Sequence, residues 1–218
     1  MKQTLKRLEL IARGIAPRGL RSALRIGRSA FHNQPISKEL SSELVEGASV
    51  VGSREILIER MKKGAIAAEL GTYRGDFAKT MLARADPEKL HLIDVDYTKF
   101  DNSLLNDARL VKHEGLTHEV MATFDDGFFD WVYIDADHSY SGVLRDAKAS
   151  APKICPGGYM IFNDFAHIGP YLGRYGVHRA VVDFMKESRW PMRYLAMHPA
   201  ALYDVALQKS STDPNYTL

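Results

Sequence analysis

The chain has 218 residues, 45% apolar and 26% charged, with a formal net charge of +2 and a single cysteine. That length suits one α/β domain with a terminal extension and is cramped for two. The composition excludes a mainly disordered, collagen-like or disulfide-stapled protein. No apolar run approaches the roughly 20 residues needed to span a bilayer, and the N-terminus lacks the uninterrupted apolar stretch of a secretory signal. A cytoplasmic location and no transmembrane segment are therefore expected, with Cys155 a packed thiol rather than a nucleophile.

Residues 1–30 carry eight Lys or Arg against Glu9 alone, which is +7, so the remaining residues sum to −5. Such a segment can touch an anionic membrane, nucleic acid or an acidic partner. The apolar spacing of Leu5, Leu8, Ile11 and Ile15 equally suits a solvated helical arm that packs on a sister subunit in a homo-oligomer. Residues 1–47 show no strand pattern and read as a basic helical cap, 48–210 as the main α/β domain and 211–218 as a tail.

From Ser53 the chain alternates between helical and strand-like patterns, as in a parallel sheet covered by helices on both faces. Ser53 caps a helix carrying Ile56, Leu57, Arg60 and Met61 that ends near Gly64. Residues 65–70 form a continuously apolar strand, buried on both sides. A helix over 75–85 follows, with Phe77, Met81 and Leu82 on one face, and Asp86-Pro87 stops it. Strands are expected at 90–95 and, more weakly, at 108–113. A short helix at 117–123 leads to a clear strand at 131–135 and a helix at 139–150. Pro156-Gly157-Gly158 reads as a turn into a strand at 159–162. A loop over 165–176, rich in Gly, Pro and aromatics, precedes a helix at 177–188. Strands at 192–197 and 202–208, separated by His198-Pro199, suggest an antiparallel hairpin at the sheet edge.

The turn Glu69-Leu70-Gly71-Thr72-Tyr73-Arg74-Gly75 runs from a buried strand into a helix, where free backbone N–H groups collect. Its spacing is E-x-G-x-x-x-G, not the G-x-G-x-x-G of dinucleotide enzymes. Tyr73 and Arg74 crowd the place a pyrophosphate would approach. The carboxylate of Glu69 would repel a phosphate and attract an amine. One strand–helix step later comes Ile93-Asp94-Val95-Asp96, where an acid can accept both hydroxyls of a ribose; Asp94 is the choice and Asp96 the alternative. A solvated carboxylate at a strand end is the plain reading of either acid.

Asp135 and the pair Asn163-Asp164 follow two strands expected to be neighbours, which places two carboxylates and a carboxamide on one rim. Three hard oxygen donors suit an open Mg²⁺ site, although a helix cap for Asp135 or Asp137 and a loop hydrogen bond for Asn163 fit the sequence too. His138, three residues beyond Asp135, can take a proton near neutral pH or simply cap the next helix. In the loop over 165–176, His167, Tyr171, Arg174 and Tyr175 can read a substrate or hold the loop closed; His178 and Arg179 are weaker candidates.

The runs E-L-G-T-Y-R-G, I-D-V-D, F-D-W-V-Y-I-D-A-D-H-S-Y and P-K-I-C-P-G-G-Y-M-I-F-N-D together resemble the class I S-adenosylmethionine-dependent methyltransferases, over residues 50–208. They look most like the metal-dependent O-methyltransferases of sugars and natural products. The resemblance implies an α/β, Rossmann-like, doubly wound and mostly parallel seven-stranded sheet with an antiparallel edge hairpin. It implies S-adenosyl-L-methionine as cofactor, with Glu69, Gly71, Tyr73 and Gly75 at its methionine end. Asp94 then meets the ribose, and His113, Glu114, Gly115 and Leu116 meet the adenine. Asp135 serves cofactor, metal and catalysis; Asn163 and Asp164 complete the Mg²⁺ set; His138 is the base. The implied partner is a small hydroxylated molecule (a sugar, phenol or natural product), and no nucleic acid. Thr72 departs from the family, where a further glycine is common, and the Asn-Asp order differs among its members. A metal-independent methyltransferase and a non-catalytic cofactor-binding module are the alternatives.

Overall fold

The computed structural model describes residues 39–166, 168–169, 173–174, 176–199 and 203–211. Most of the basic arm and cap, with its proposed helix, and the tail lie outside these residues. The chain divides into two units. In the smaller, the described residues form a two-stranded antiparallel ribbon, β7 (Ile168–Gly169) with β8 (Gly173–Arg174).

The larger unit is built on an eight-stranded sheet. In chain order its elements are β1 (Ser49–Val51), α1 (Arg54–Glu59), β2 (Ile66–Leu70), α2 (Asp76–Arg84), β3 (Lys89–Asp94), β4 (Leu110–Glu114), α3 (Thr117–Met121), β5 (Phe129–Ile134), α4 (Tyr140–Ser150), β6 (Ile154–Phe162), α5 (Val177–Ser188), β9 (Met192–Ala196) and β10 (Asp204–Gln208). The strand order is β1-β9-β10-β6-β5-β2-β3-β4. Strands β6, β5, β2, β3 and β4 run parallel, and β10 is antiparallel to both of its neighbours. The expected hairpin is therefore β9–β10. The eighth strand, β1, pairs in parallel with β9 outside that hairpin. It is too short to register as a pattern in the sequence.

Alternation along the strands explains the two cores. On β2, Ala67 joins the side packed by α1 and α2, with Leu57, Met81, Leu92 and Trp131. Its neighbour Ala68 joins the opposite side, with Val143 of α4 and Val181 of α5. A strand covered on both faces must be apolar at successive positions, which is the pattern read in the sequence. Ser53 caps α1 by accepting from the Ile56 amide at 3.3 Å. Ser139 caps α4 by accepting from the Gly142 amide at 3.1 Å.

One local expectation is corrected. Pro156-Gly157-Gly158 is not a turn before a strand but lies inside β6, which begins at Ile154. Its pairing with β5 slips between Phe129 and Trp131, and Gly157 has φ +79° there. The Pro-Gly-Gly run makes an irregularity in the strand that a local turn signal imitates.

The chain moves outward through β3 and β4, then returns to place β5 on the other side of β2. The direction of travel reverses between β2 and β5. In such sheets the crevice beyond the carboxyl ends of those strands takes the ligand.

Candidate active site

The loop after β2 is held open by glycine. Gly71 has φ +89°, and a β-carbon on it would lie 2.3 Å from the carbonyl oxygen of Asp135. Its amide donates to the Ile93 carbonyl at 2.8 Å, while the Asp135 amide donates to the Leu70 carbonyl at 2.8 Å. Gly75, at φ +82°, is the residue before α2, and a side chain there would meet Leu104 and Phe100. Only glycine combines that conformation with such close approach.

Glu69 is fully buried, and its Oε2 has no hydrogen-bond partner; the buried hydroxyl of Thr72 is also unpartnered. Burial first, and Asp135 second, push the Glu69 carboxyl well above the usual range. An orphaned buried carboxyl oxygen favours a positively charged or hydrogen-bond-donating ligand group. Tyr73 takes a left-handed backbone at φ 51° and leaves its ring exposed between the cations of Arg74 and Lys99, each 5.3 Å from its centroid.

Asp94 organises the same loop. Its Oδ2 accepts from the amides of Thr72 and Tyr73, both at 2.8 Å, and its Oδ1 accepts from the Asp96 amide at 3.1 Å. Asp96 accepts from the Thr98 amide at 2.9 Å, closing its own turn. Glu114 ends β4 in register with Asp94, and the Gly115 amide donates to the Asp94 carbonyl. Leu116 is exposed beyond them. His113 is placed otherwise than the sequence suggested. Its ring stacks on His91, with Nε2 2.9 Å from His91 Nδ1, among Phe124 and its aromatic neighbours.

Beyond the ends of β5 and β6, His138 Nε2 lies 3.3 Å from Asn163 Oδ1, 3.5 Å from Asp135 Oδ1 and 3.6 Å from Asp164 Oδ2. The four residues expected to act together do converge. The His138 carbonyl accepts from the Gly176 amide at 2.9 Å, which ties its backbone to the start of α5. The Asp135 carboxyl is pushed up to about 8, by burial first and then by Asp164 and Asp204. Among the described residues, no three His, Cys, Asp or Glu side chains stand in metal-holding geometry.

Residues 68–165 match the family model described as a methyltransferase domain. The chain carries a methyltransferase domain. The match starts within β2 and ends just after Asp164, so it spans the glycine loop and the whole acidic rim. The methyl donor of this family is S-adenosylmethionine. Solved structures agree on the fold. A SAM-dependent methyltransferase from Aquifex aeolicus superimposes with a TM-score of 0.56 at 13% identity, over 77% of this chain and 91% of that one. An O-methyltransferase family protein from Burkholderia thailandensis gives 0.56 at 12% identity, over 73% and 56%. A tRNA methyltransferase from B. subtilis gives 0.53 at 12%, over 73% and 66%. A search of curated proteins found no match.

Three residues near the methyltransferase rim escaped the sequence reading. Tyr133 donates its hydroxyl to Asp204 Oδ2 at 2.6 Å, and Asn163 Nδ2 donates to Asp204 Oδ1 and to the Tyr133 oxygen, each at 3.2 Å. Arg54, whose guanidinium lies 4.1 Å from the centre of the Phe77 ring, adds a positive charge that acts on Tyr133, Asp204 and Asp135. Burial raises Asp204 to about 6, against the Tyr133 hydrogen bond. The sequence offered one signal: Asp204 is an acid inside an otherwise apolar strand pattern.

Of the expected substrate residues, His167, Tyr171 and Tyr175 lie outside the described residues, and Arg174 is described only as backbone of β8. His178 packs its ring on Phe165 at 4.8 Å, and Arg179 lies over Tyr140 and 3.7 Å from Asp183. Both make structural contacts. Cys155 sits half-buried in β6, its thiol raised mainly by burial. No helix among the described residues is long and apolar enough to cross a membrane.

Proposed function

We propose that the protein transfers the methyl group of S-adenosylmethionine to a hydroxyl of a small molecule such as a sugar, a phenol or a natural product. The observation that carries this reading is the placement of His138 Nε2 within 3.6 Å of Asp135, Asn163 and Asp164, beside the glycine loop, whose Gly71 packs on the Asp135 backbone. The orphaned Glu69 oxygen suits the ammonium of the methionine moiety. Asp94, with lone pairs beyond those used by the loop amides, suits the ribose. Gly115 and Leu116, with Glu114 beside them, lie where adenine would follow.

His138 takes the hydroxyl proton, and the flanking carboxylates stabilise the imidazolium that results. The substrate oxygen then attacks the methyl carbon. The new C–O bond forms as the C–S bond breaks, and its electron pair returns to sulfur to leave S-adenosylhomocysteine. The crevice supplies proximity and alignment, the main requirement of such a displacement.

Asp135, Asn163 and Asp164 are the residues that would hold Mg²⁺, and the repulsion that raises Asp135 is what a cation would relieve. When bound, the ion would acidify the substrate hydroxyl. The metal-independent reading has its own support. The His138 ring nitrogen already faces all three oxygens and occupies the place for which a cation would compete.

In this reading residues 48–210 are the catalytic unit, 1–47 a basic arm able to pack on a second copy, and 211–218 a tail. The deficit of positive charge outside the arm argues against a nucleic-acid substrate. The test is S-adenosylhomocysteine release from S-adenosylmethionine in the presence of a panel of hydroxylated sugars and phenols, with Mg²⁺ or with EDTA. Turnover only with Mg²⁺ supports the metal-assisted form, and EDTA-resistant turnover supports His138 acting without metal. Tight cofactor binding with no transfer to any acceptor would favour a non-catalytic binding module.

A further inference from the structure

Asn163 stands at the centre of the acidic rim, and a carboxamide can present either an oxygen or an NH₂ group there. Its neighbours decide which. Tyr133 donates its only proton to Asp204 Oδ2, so its oxygen has lone pairs to offer and nothing further to donate. Asp204 takes the Tyr133 hydroxyl on Oδ2 and faces the same carboxamide with Oδ1. Two acceptors therefore converge on one end of the Asn163 carboxamide, each 3.2 Å from Nδ2. Turning the amide over would set its oxygen against both, leaving two buried acceptors facing a third without a proton between them.

We infer that Asp204 and Tyr133 are positioning residues, which turn the Asn163 carboxamide so that its oxygen faces His138. The inference deepens the methyl-transfer reading and rests on it for its functional meaning. Asp204 comes from β10, the antiparallel strand, and lies outside the matched segment 68–165. Fixing Asn163 Oδ1 at 3.3 Å from His138 Nε2 adds a third acceptor to the two carboxylates already facing that nitrogen. An oxygen there, rather than an NH₂ group, suits the imidazolium that forms once His138 has taken a proton. The network thereby fixes which end of the carboxamide faces His138 from a strand that lies outside the matched segment. With a metal present, the same orientation would offer the ion an oxygen ligand instead of an NH₂ group.

The experiment is ¹H–¹⁵N spectroscopy on the full-length protein without ligand. The Asn163 side-chain signals are assigned by their loss in Asn163→Asp and the His138 ring nitrogens by their loss in His138→Gln. The wild type should show both Asn163 NH₂ protons exchanging about tenfold or more slowly than exposed carboxamides. Asp204→Asn should abolish that protection and shift the His138 ring-nitrogen signals. Tyr133→Phe, which retains the Asp204 acceptor, should show an intermediate loss and serves if Asp204→Asn fails to fold. Unprotected Asn163 protons in the wild type, or unchanged Asn163 and His138 signals in a folded variant, would overturn the inference. Calorimetry with S-adenosylhomocysteine separates the two readings. Asp204→Asn should bind within twofold of wild type, whereas a wild type that binds none refutes the methyl-transfer reading without altering the carboxamide result.

Discussion

Gly71 and Asp135 meet backbone to backbone, so closely that a β-carbon on Gly71 would lie 2.3 Å from the Asp135 carbonyl oxygen and 2.7 Å from the Ala136 Cα. The glycine loop after β2 and the acidic loop after β5 are thus one packed unit. Gly71→Ala must displace main chain rather than a flexible side chain, and it must also hold alanine at φ +89°. The expected cost is about 3 kcal/mol or more, with S-adenosylhomocysteine binding lost. Thermal unfolding and calorimetry on the same preparation check both. A variant with normal affinity and stability would show that the loops are not coupled.

Asp94 serves the loop before it serves any ligand, through the two amides it accepts at 2.8 Å. Asp94→Ala should weaken S-adenosylhomocysteine binding by roughly 30-fold or more, about 2 kcal/mol, and lower the unfolding midpoint. Asp94→Asn keeps an acceptor for the amides and should recover most of the stability but only part of the affinity. Equal recovery of both would remove the ribose role from Asp94.

Asp164 belongs to the rim that faces His138 and has φ 55°, a conformation asparagine tolerates. Asp164→Asn should leave S-adenosylhomocysteine affinity within a few-fold and abolish methyl transfer to whichever acceptor the panel identifies. Loss of cofactor binding in the folded variant would contradict the division between cofactor and acceptor sites.

His91 is buried against His113, with Phe124, Phe128 and Phe129 edge-on around it. Its pKa is lowered from 6.5 to about 4, by burial first and then by His113 and Lys89. Because the folded value is depressed, the unfolded chain binds the proton more readily. The contribution to stability is complete above pH 6.5 and is lost as the pH falls towards about 4. The effect is on the order of 2–3 kcal/mol. Urea unfolding midpoints should fall between pH 7.5 and 5, and the fall should be shallower in His91→Gln. An identical slope in that variant would assign the pH dependence to other groups.

The sequence exposed the repeating logic of the fold because a strand covered on both faces is apolar at successive positions, as Ile66, Ala67 and Ala68 are in β2 ahead of Glu69. It failed where local signals are ambiguous. Pro156-Gly157-Gly158 has the chemistry of a turn but sits within β6, since neighbouring strands override a local preference. His113 was expected to meet the adenine together with Glu114, Gly115 and Leu116, yet its ring turns to His91, a partner brought near by the register between β3 and β4.

By itself, the sequence determined the strand–loop–helix around Gly71, the acid one step later and the acidic residues after two later strands, because each depends on local spacing. Only the tertiary structure decided that Gly71 touches Asp135, that His138 faces Asn163 and Asp164, and that Asp204 and Tyr133 meet the Asn163 amide. Those relationships join residues up to 71 positions apart. They arise from strand order and from the antiparallel return of β10, which periodicity along the chain does not encode.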